Sequence, residues 1–255
     1  MTDNQTDFGF KKVNRDEKAN LVKGIFSNVA KKYDLMNDLM SAGVHRLWKN
    51  KMIEEIDFFG KDQELKFIDV AGGTGDIAFR IAKKAREKNL PHKIDVVDIN
   101  QEMLDCGQAR AFDLNLFSDL KFTCADGEKL PFADNSFDFF TIAFGIRNFT
   151  NIDKGLAEAH RVLKPNGKFI CLEFSHVDNY FLQKFYDAYS FKVIPHIGEM
   201  ILKDRHSYQY LVESIRKFPN QEKFKKMIED AGFKDAGYQN LSFGTAAIHV
   251  GKKPL

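Results

Sequence analysis

The chain has 255 residues, with 38 Lys or Arg against 36 Asp or Glu and a net charge of +2. A balance this even argues against the strong basic bias of a nucleic-acid-binding protein and against a simple electrostatic route to an anionic membrane. Apolar residues make up 44% of the chain, enough for a full core at this length, while Cys106, Cys124 and Cys171 are too few and too scattered for a disulfide framework or a zinc site, so a reduced, cytoplasmic setting is expected.

In chain order, residues 1–17 are polar and read as loose, with neither the apolar core of a signal peptide nor the arginines of a transit peptide. From Lys18 to Tyr33 the set Leu21, Val22, Ile25, Phe26, Val29 and Ala30 recurs at three and four, the period of an amphipathic helix. A second helix is expected from Val44 to Phe59, so residues 18–60 form an N-terminal helical cap. The texture then alternates between strands (66–71, 92–98, 120–125, 137–144, 168–174) and helices (76–88, 101–112, 153–163), the last stopped by Pro165 and Gly167. That alternation predicts a parallel sheet with helices on both faces. Residues 178–218 interrupt it with an aromatic-rich, helical insertion. Asn220 is placed to cap a helix ending at Gly232, and strands at 234–241 and 245–251, three residues apart, close the chain as a hairpin with one antiparallel strand. The whole reads as a single domain over 1–255, with no run of roughly 18 apolar residues to span a membrane.

The strongest chemical signal is Asp69-Val70-Ala71-Gly72-Gly73-Thr74-Gly75-Asp76, between the first sheet strand and its helix, where open α/β sheets bind ligands. Gly72, Gly73 and Gly75 let the backbone approach a ligand closely. Gly73 to Ala78 formally fits the dinucleotide fingerprint. Asp76, however, places a carboxylate where a pyrophosphate would sit. A cofactor with a cationic end suits the site better, and S-adenosylmethionine carries a sulfonium and an ammonium and no phosphate. Asp98, at the end of the next strand, can accept hydrogen bonds from ribose hydroxyls. Asp126 can accept an adenine amino group, with Gly127 letting the base lie against bare backbone. His45, His160 and His176 lack metal-ligand spacing, and no metal is expected.

Four further stretches carry a resemblance, the first and third of them the more specific: Lys32-Tyr-Asp-Leu-Met-Asn-Asp-Leu-Met40 with Gly43-Val-His-Arg-Leu-Trp-Lys49, Leu130-Pro-Phe-Ala-Asp-Asn-Ser-Phe-Asp138, Phe144-Gly-Ile-Arg-Asn148, and Glu158-Ala-His-Arg-Val-Leu-Lys-Pro165. Together they resemble the ubiquinone/menaquinone biosynthesis C-methyltransferase family, from about Phe8 to Gly251. The resemblance implies a Rossmann-like class I methyltransferase fold: a seven-stranded, mostly parallel sheet with an antiparallel last strand, N-terminal helices and a helical insertion. It implies methyl transfer from S-adenosylmethionine to a ring carbon of a polyprenylated quinol, either demethylmenaquinol, a 2-methoxy-6-polyprenyl-1,4-benzoquinol, or both. Cofactor contacts would fall on Thr74, Asp98, Asp126 and Gly127. At Ala143, where similar proteins often carry Ser, the hydroxyl is missing.

A ring carbon becomes nucleophilic when a neighbouring hydroxyl, with a pKa near 10, loses its proton. Arg147, just past the fourth strand, is expected to stabilise the ring oxyanion, with Tyr33 and Asn148 as further candidates for binding ring oxygens. The aromatic run from Tyr180 to Phe191, including Phe181 and Phe185, would line a tail channel, touch a bilayer peripherally, or simply pack the core. The partners to expect are the quinol, the inner membrane face, a homodimer mate or a quinone-biosynthesis complex, and no nucleic acid. Two other classes stay open: a non-catalytic quinone-lipid-binding or scaffold subunit, and a dinucleotide-dependent oxidoreductase.

Overall fold

The computed structural model describes residues 4–29, 41, 43–58, 63–177 and 205–255. Tyr33 and the aromatic run 180–191 lie outside them.

Where a loose terminus was expected, Gln5–Phe8 (β1) and Lys11–Asn14 (β2) pair as an antiparallel hairpin that leads directly into the helix Arg15–Val29 (α1). The reason is one aromatic anchor in a polar stretch. Phe8 stacks on Tyr210, ring centroids 4.4 Å apart, and joins Val22 and Ile25 in a small apolar cluster. Thr6 Oγ donates to the Thr150 carbonyl, and Glu213 accepts the Phe10 N–H at 2.9 Å. The second helix is shorter than expected, His45–Glu54 (α2).

The main sheet contains Leu65–Val70 (β3), His92–Asp98 (β4), Leu120–Cys124 (β5), Phe137–Ala143 (β6), Leu163–Phe174 (β7), Lys234–Leu241 (β8) and Ala246–Lys252 (β9). Their spatial order is β5-β4-β3-β6-β7-β9-β8. β9 runs antiparallel to both neighbours and the remaining pairs are parallel, which is the expected Rossmann-like arrangement. Between the strands run Asp76–Glu87 (α3), Gln101–Asp113 (α4), Ile152–Val162 (α5), Arg205–Lys217 (α6) and Gln221–Asp230 (α7). Asn100, Asn151 and Asn220 cap α4, α5 and α7 by accepting the N–H three residues on.

Side chains of the central strands alternate between two apolar layers. Phe67, Phe139, Ile170 and Leu172 face the layer of α2, α3 and α4, whereas Ile68, Phe140, Phe169 and Cys171 face that of α5 and α7. Of the chain's 25 Phe, seven are fully buried here, Phe67, Phe140, Phe144, Phe169, Phe174, Phe224 and Phe233, and Phe67 stacks on Phe139 at 5.1 Å. β7 starts earlier than the sequence suggests. Leu163 already pairs with Phe137, and the register then jumps to Phe139 with Lys168. Pro165 and Gly167 thus sit in a bulge of the strand, where a missing N–H costs no ladder bond.

Candidate active site

A cleft opens at the carboxyl ends of β3, β4, β5 and β6, where the strand order reverses, and α1 covers it with Ala19, Val22 and Lys23. Gly72, Gly73, Thr74, Asp98, Asp126, Gly127 and Asn148 all line it, so the sequence-predicted cofactor residues converge. Gly75 shapes the loop without lining the cleft: its φ is +84°, and a Cβ there would meet the Phe79 ring at 2.8 Å. Ala71 and Phe144 also hold positive φ, 51° and 56°, at the tips of β3 and β6, strain of the kind stored beside functional clefts.

Asp98 accepts the Gly73 N–H and the Asn100 N–H, each at 2.9 Å, on different carboxylate oxygens. Burial pushes it up to about 6, against the pull of those backbone donors. Two oxygens with one donor each keep acceptor capacity for hydroxyl groups in the cleft. The Gly73 N–H, which a dinucleotide fold would aim at a pyrophosphate, is already taken.

Asp69, read from sequence only as the start of the glycine motif, forms the floor. Its Oδ1 accepts the Thr141 hydroxyl at 2.8 Å, its buried Oδ2 has no close partner among the described residues, and the Ala78 N–H at the start of α3 favours the ionised carboxyl. Burial is the largest influence and raises its pKa to about 7. The Thr74 hydroxyl accepts a hydrogen bond from Arg110 at 2.7 Å, so its own proton is available to an acceptor in the cleft.

Asp76 corrects part of the sequence argument. Its carboxylate is not free for a cofactor cation, because Lys49 lies 2.8 Å away and Arg80 3.3 Å. Burial alone would raise its pKa, but Lys49 and Arg80 outweigh it and hold the group below its ordinary value. Anion exclusion comes instead from the set as a whole: Asp69, Asp76, Asp98, Asp126 and Glu128 line the cleft against Lys23 and Lys49. That mainly accepting, acidic lining fits a nucleoside with a cationic arm and opposes a pyrophosphate. In the sequence Lys49 stands out only as the end of a motif and Thr141 not at all, since neither a Lys in a helix nor a Thr in a strand signals its carboxylate partner.

Asp126 is exposed at the mouth, its Oδ1 accepting the Glu128 N–H at 2.9 Å. Gly127 also has a packing reason: a Cβ would meet Phe149 at 2.5 Å and Val70 at 2.9 Å, both of which line the cleft with it. Ala143 lines the cleft without a hydroxyl.

The turn Ile146–Asn148 separates two expected neighbours. Asn148 lines the cleft, whereas Arg147 is absent from the described lining and turns into the protein. There it pairs with Glu173 at 2.8 Å, with both side chains only 1% exposed, and also donates to the Phe144 carbonyl. The guanidinium expected at a ring oxyanion is thus engaged in a buried pair. Among the described residues no cluster of three or more His, Cys, Asp or Glu could hold a metal ion.

A family model described as the ubiE/COQ5 methyltransferase family matches residues 11–253. A protein of Rickettsia bellii (strain RML369-C) named ubiquinone/menaquinone biosynthesis C-methyltransferase UbiE is 55% identical over 250 residues, 98% of this chain and 99% of that one. Its namesake from Rickettsia rickettsii (strain Sheila Smith) is 56% identical over 246 residues, 96% and 98% of the two chains. Among solved structures, the cyclase SpnF matches with a TM-score of 0.68 at 16% identity, covering 93% of this chain and 96% of its own. A SAM-dependent methyltransferase from Aquifex aeolicus gives 0.55 at 18% identity, covering 80% and 88%. These structural likenesses concern the fold, and a cyclase on the same fold shows that chemistry resides in the site.

Proposed function

The chain belongs to the ubiE/COQ5 methyltransferase family, and from that premise we propose that it transfers a methyl group from S-adenosylmethionine to a ring carbon of a polyprenylated quinol in ubiquinone or menaquinone biosynthesis. It is a methyltransferase enzyme. The observation that supports the cofactor is the carboxylate-lined cleft, with Asp98 beneath the glycine loop and Asp69, which has no ion-pair partner among the described residues, at its floor. The scaffold and oxidoreductase readings lack comparable support, since near-complete matching to named methyltransferases accompanies an intact cofactor cleft.

When bound, S-adenosylmethionine supplies an electrophilic methyl on sulfur. The chain's own groups then have three tasks. Asp98 would receive ribose hydroxyls and Asp126 the adenine amino group. The Asp69 carboxylate would answer the cationic arm, and the Thr74 hydroxyl would donate to its carboxylate. Asn148 donates to a ring oxygen, and Tyr33, outside the described residues, is the second group proposed for that ring. Arg147 is read as holding the turn that carries Asn148 rather than as touching the ring. Phe144, Phe149 and the α1 residues Ala19 and Val22 give the cleft apolar walls. No helix among the described residues is long and apolar enough to cross a membrane, so an encounter with a bilayer-resident quinol would be peripheral.

Asp98→Ala should weaken S-adenosylmethionine binding by about 1.5–3 kcal/mol while leaving the fold intact, because hydrogen bonds to a charged acceptor are lost without a core cavity. The wild-type affinity should also fall as pH drops, first through about 7 as Asp69 takes a proton and then through about 6 as Asp98 does. Calorimetric titration of the variant should show only the upper of these limbs, and an unchanged two-limb profile would remove Asp98 from the cofactor site.

The function itself is tested by mass spectrometry of quinones in cells lacking the protein. An accumulated quinone one methyl short is expected, and a normal quinone profile would refute the assignment.

A further inference from the structure

Asn148 is held by a contact that reaches it from a distant part of the chain. Tyr210, on α6, donates its hydroxyl hydrogen to Asn148 Oδ1 at 3.0 Å. A side-chain amide has one accepting and one donating end, so engaging Oδ1 points Nδ2 elsewhere. Among the described residues no protein group meets Nδ2, and Asn148 lines the cleft.

The lock is one-way because of where Tyr210 sits. Its residue is 4% exposed and its ring is stacked on Phe8 of the N-terminal hairpin, so the hydroxyl has little access to water. A buried hydroxyl hydrogen needs an acceptor, and Asn148 Oδ1 provides it. Burial raises the phenol far above its ordinary value, with Arg147 opposing and Glu173 adding to the rise. The hydroxyl therefore stays protonated, and a donor, wherever the protein is folded. Arg147 and Glu173 are the charged groups facing it, and Lys18 lies nearby with its ammonium on the Phe149 carbonyl at 2.7 Å.

We propose that Tyr210 is a positioning residue that fixes the polarity of Asn148, so that the amide N–H pair faces the cleft and donates to the quinol ring oxygen as that oxygen ionises. This rests on the quinol-methylation reading above. An amide free to rotate would spend part of its time presenting Oδ1, whose lone pairs repel a phenolate. Tyr210 is thus tied to turnover although it lies behind Asn148, and Phe8 holds it there.

The test uses the full chain with a reduced quinol. Tyr210→Phe removes one oxygen and should lower kcat by about tenfold, with Asn148→Asp, which replaces a donor by a negative charge, lowering it by about a hundredfold or more. Affinity for S-adenosylhomocysteine and the melting temperature should stay at wild-type values in Tyr210→Phe. The Tyr210→Phe deficit should shrink as pH rises toward the quinol's own pKa near 10, where ionisation no longer needs help. Tyr210→Phe combined with Asn148→Ala should be no slower than Asn148→Ala alone, the mark of residues acting through one another. The side-chain 15N resonance of Asn148 should shift and broaden in Tyr210→Phe. Additive losses, a pH-independent deficit, full kcat in Tyr210→Phe, or a deficit matched by weaker cofactor binding and a lower melting temperature would each overturn the proposal. Should the wild-type protein methylate no quinol, the functional reading fails instead. The amide resonance would then decide the lock, an unmoved signal refuting it.

Discussion

Arg147→Ala should destabilise the protein by about 3–5 kcal/mol, the cost of leaving one member of a buried ion pair without its partner. The two side chains are each 1% exposed and meet at 2.8 Å. Glu173 also accepts the Phe174 N–H at 2.9 Å, so its carboxylate is held in place and cannot swing out to water. Burial already pushes Glu173 above its ordinary value, with Arg147 opposing. Without Arg147 it would rise further. A folded-state pKa above the unfolded one means stability is retained below the unfolded value and lost as pH rises through the folded one. The variant should therefore recover part of its stability in acid. At neutral pH its melting temperature should fall by roughly 10 °C, given about 2–4 °C per kcal/mol at this chain length. Arg147→Met with Glu173→Leu removes both charges and should restore most of the loss. Turnover in that double variant measures any electrostatic contribution of Arg147 to the reaction, which Arg147→Ala alone confounds with the fold. A single variant that melts like wild type would show that the pair does not form.

The sheet was legible because its central strands are largely buried and its elements are separated by clear punctuation. His92–Asp98 is bounded by Pro91 and the capping Asn100, and the structure places that strand where the sequence does. Asn220 and the stripe Phe224, Met227, Ile228, Ala231 likewise mark α7. The errors occur where one long-range contact outweighs local composition. Residues 5–14 look disordered by polarity, yet Phe8 on Tyr210 ties the hairpin down from across the chain. Pro165 and Gly167 read as a stop, yet the strand resumes through a bulge.

The cofactor cleft was also largely legible, since glycines and strand-end carboxylates have positional meaning. What escaped was the second member of each pair. Arg147 was visible as a charge after a strand, but Glu173 lies 26 residues on, as an apparently incidental acid in the apolar strand KFICLEF. Asp76 was visible at a helix start, but Lys49 comes from α2, and without it the carboxylate looks free. Asn148 was visible, but Tyr210 lies 62 residues away. Pairings of this kind are properties of the folded topology and leave no local spacing to read.

Asp69→Asn should weaken cofactor binding, yet stabilise the free protein at and above neutral pH. The carboxyl is 1% exposed, and burial raises it from 3.8 to about 7. Each pH unit of such displacement corresponds to about 1.4 kcal/mol, so the ionised, buried carboxylate costs on the order of 4 kcal/mol relative to its protonated form. By the same linkage as for Glu173, the stability Asp69 provides is intact below about 4 and is lost as pH climbs to about 7. Asn cannot ionise, and its carbonyl can still accept the Thr141 hydroxyl that Asp69 Oδ1 accepts at 2.8 Å. Its amide nitrogen would occupy the place of Oδ2, which has no close partner, and an unsatisfied buried donor costs about 1–3 kcal/mol. The net gain should therefore be on the order of 1–3 kcal/mol at pH 8, vanishing or reversing below about pH 5, and is read from melting curves across that range. Affinity for S-adenosylmethionine should fall more than affinity for the uncharged-sulfur product if the carboxylate answers the sulfonium, since the ammonium is common to both ligands. A variant less stable than wild type at pH 8 would mean that Asp69 Oδ2 has a donor there. Equal loss of affinity for both ligands would place the carboxylate's partner elsewhere than on the sulfonium.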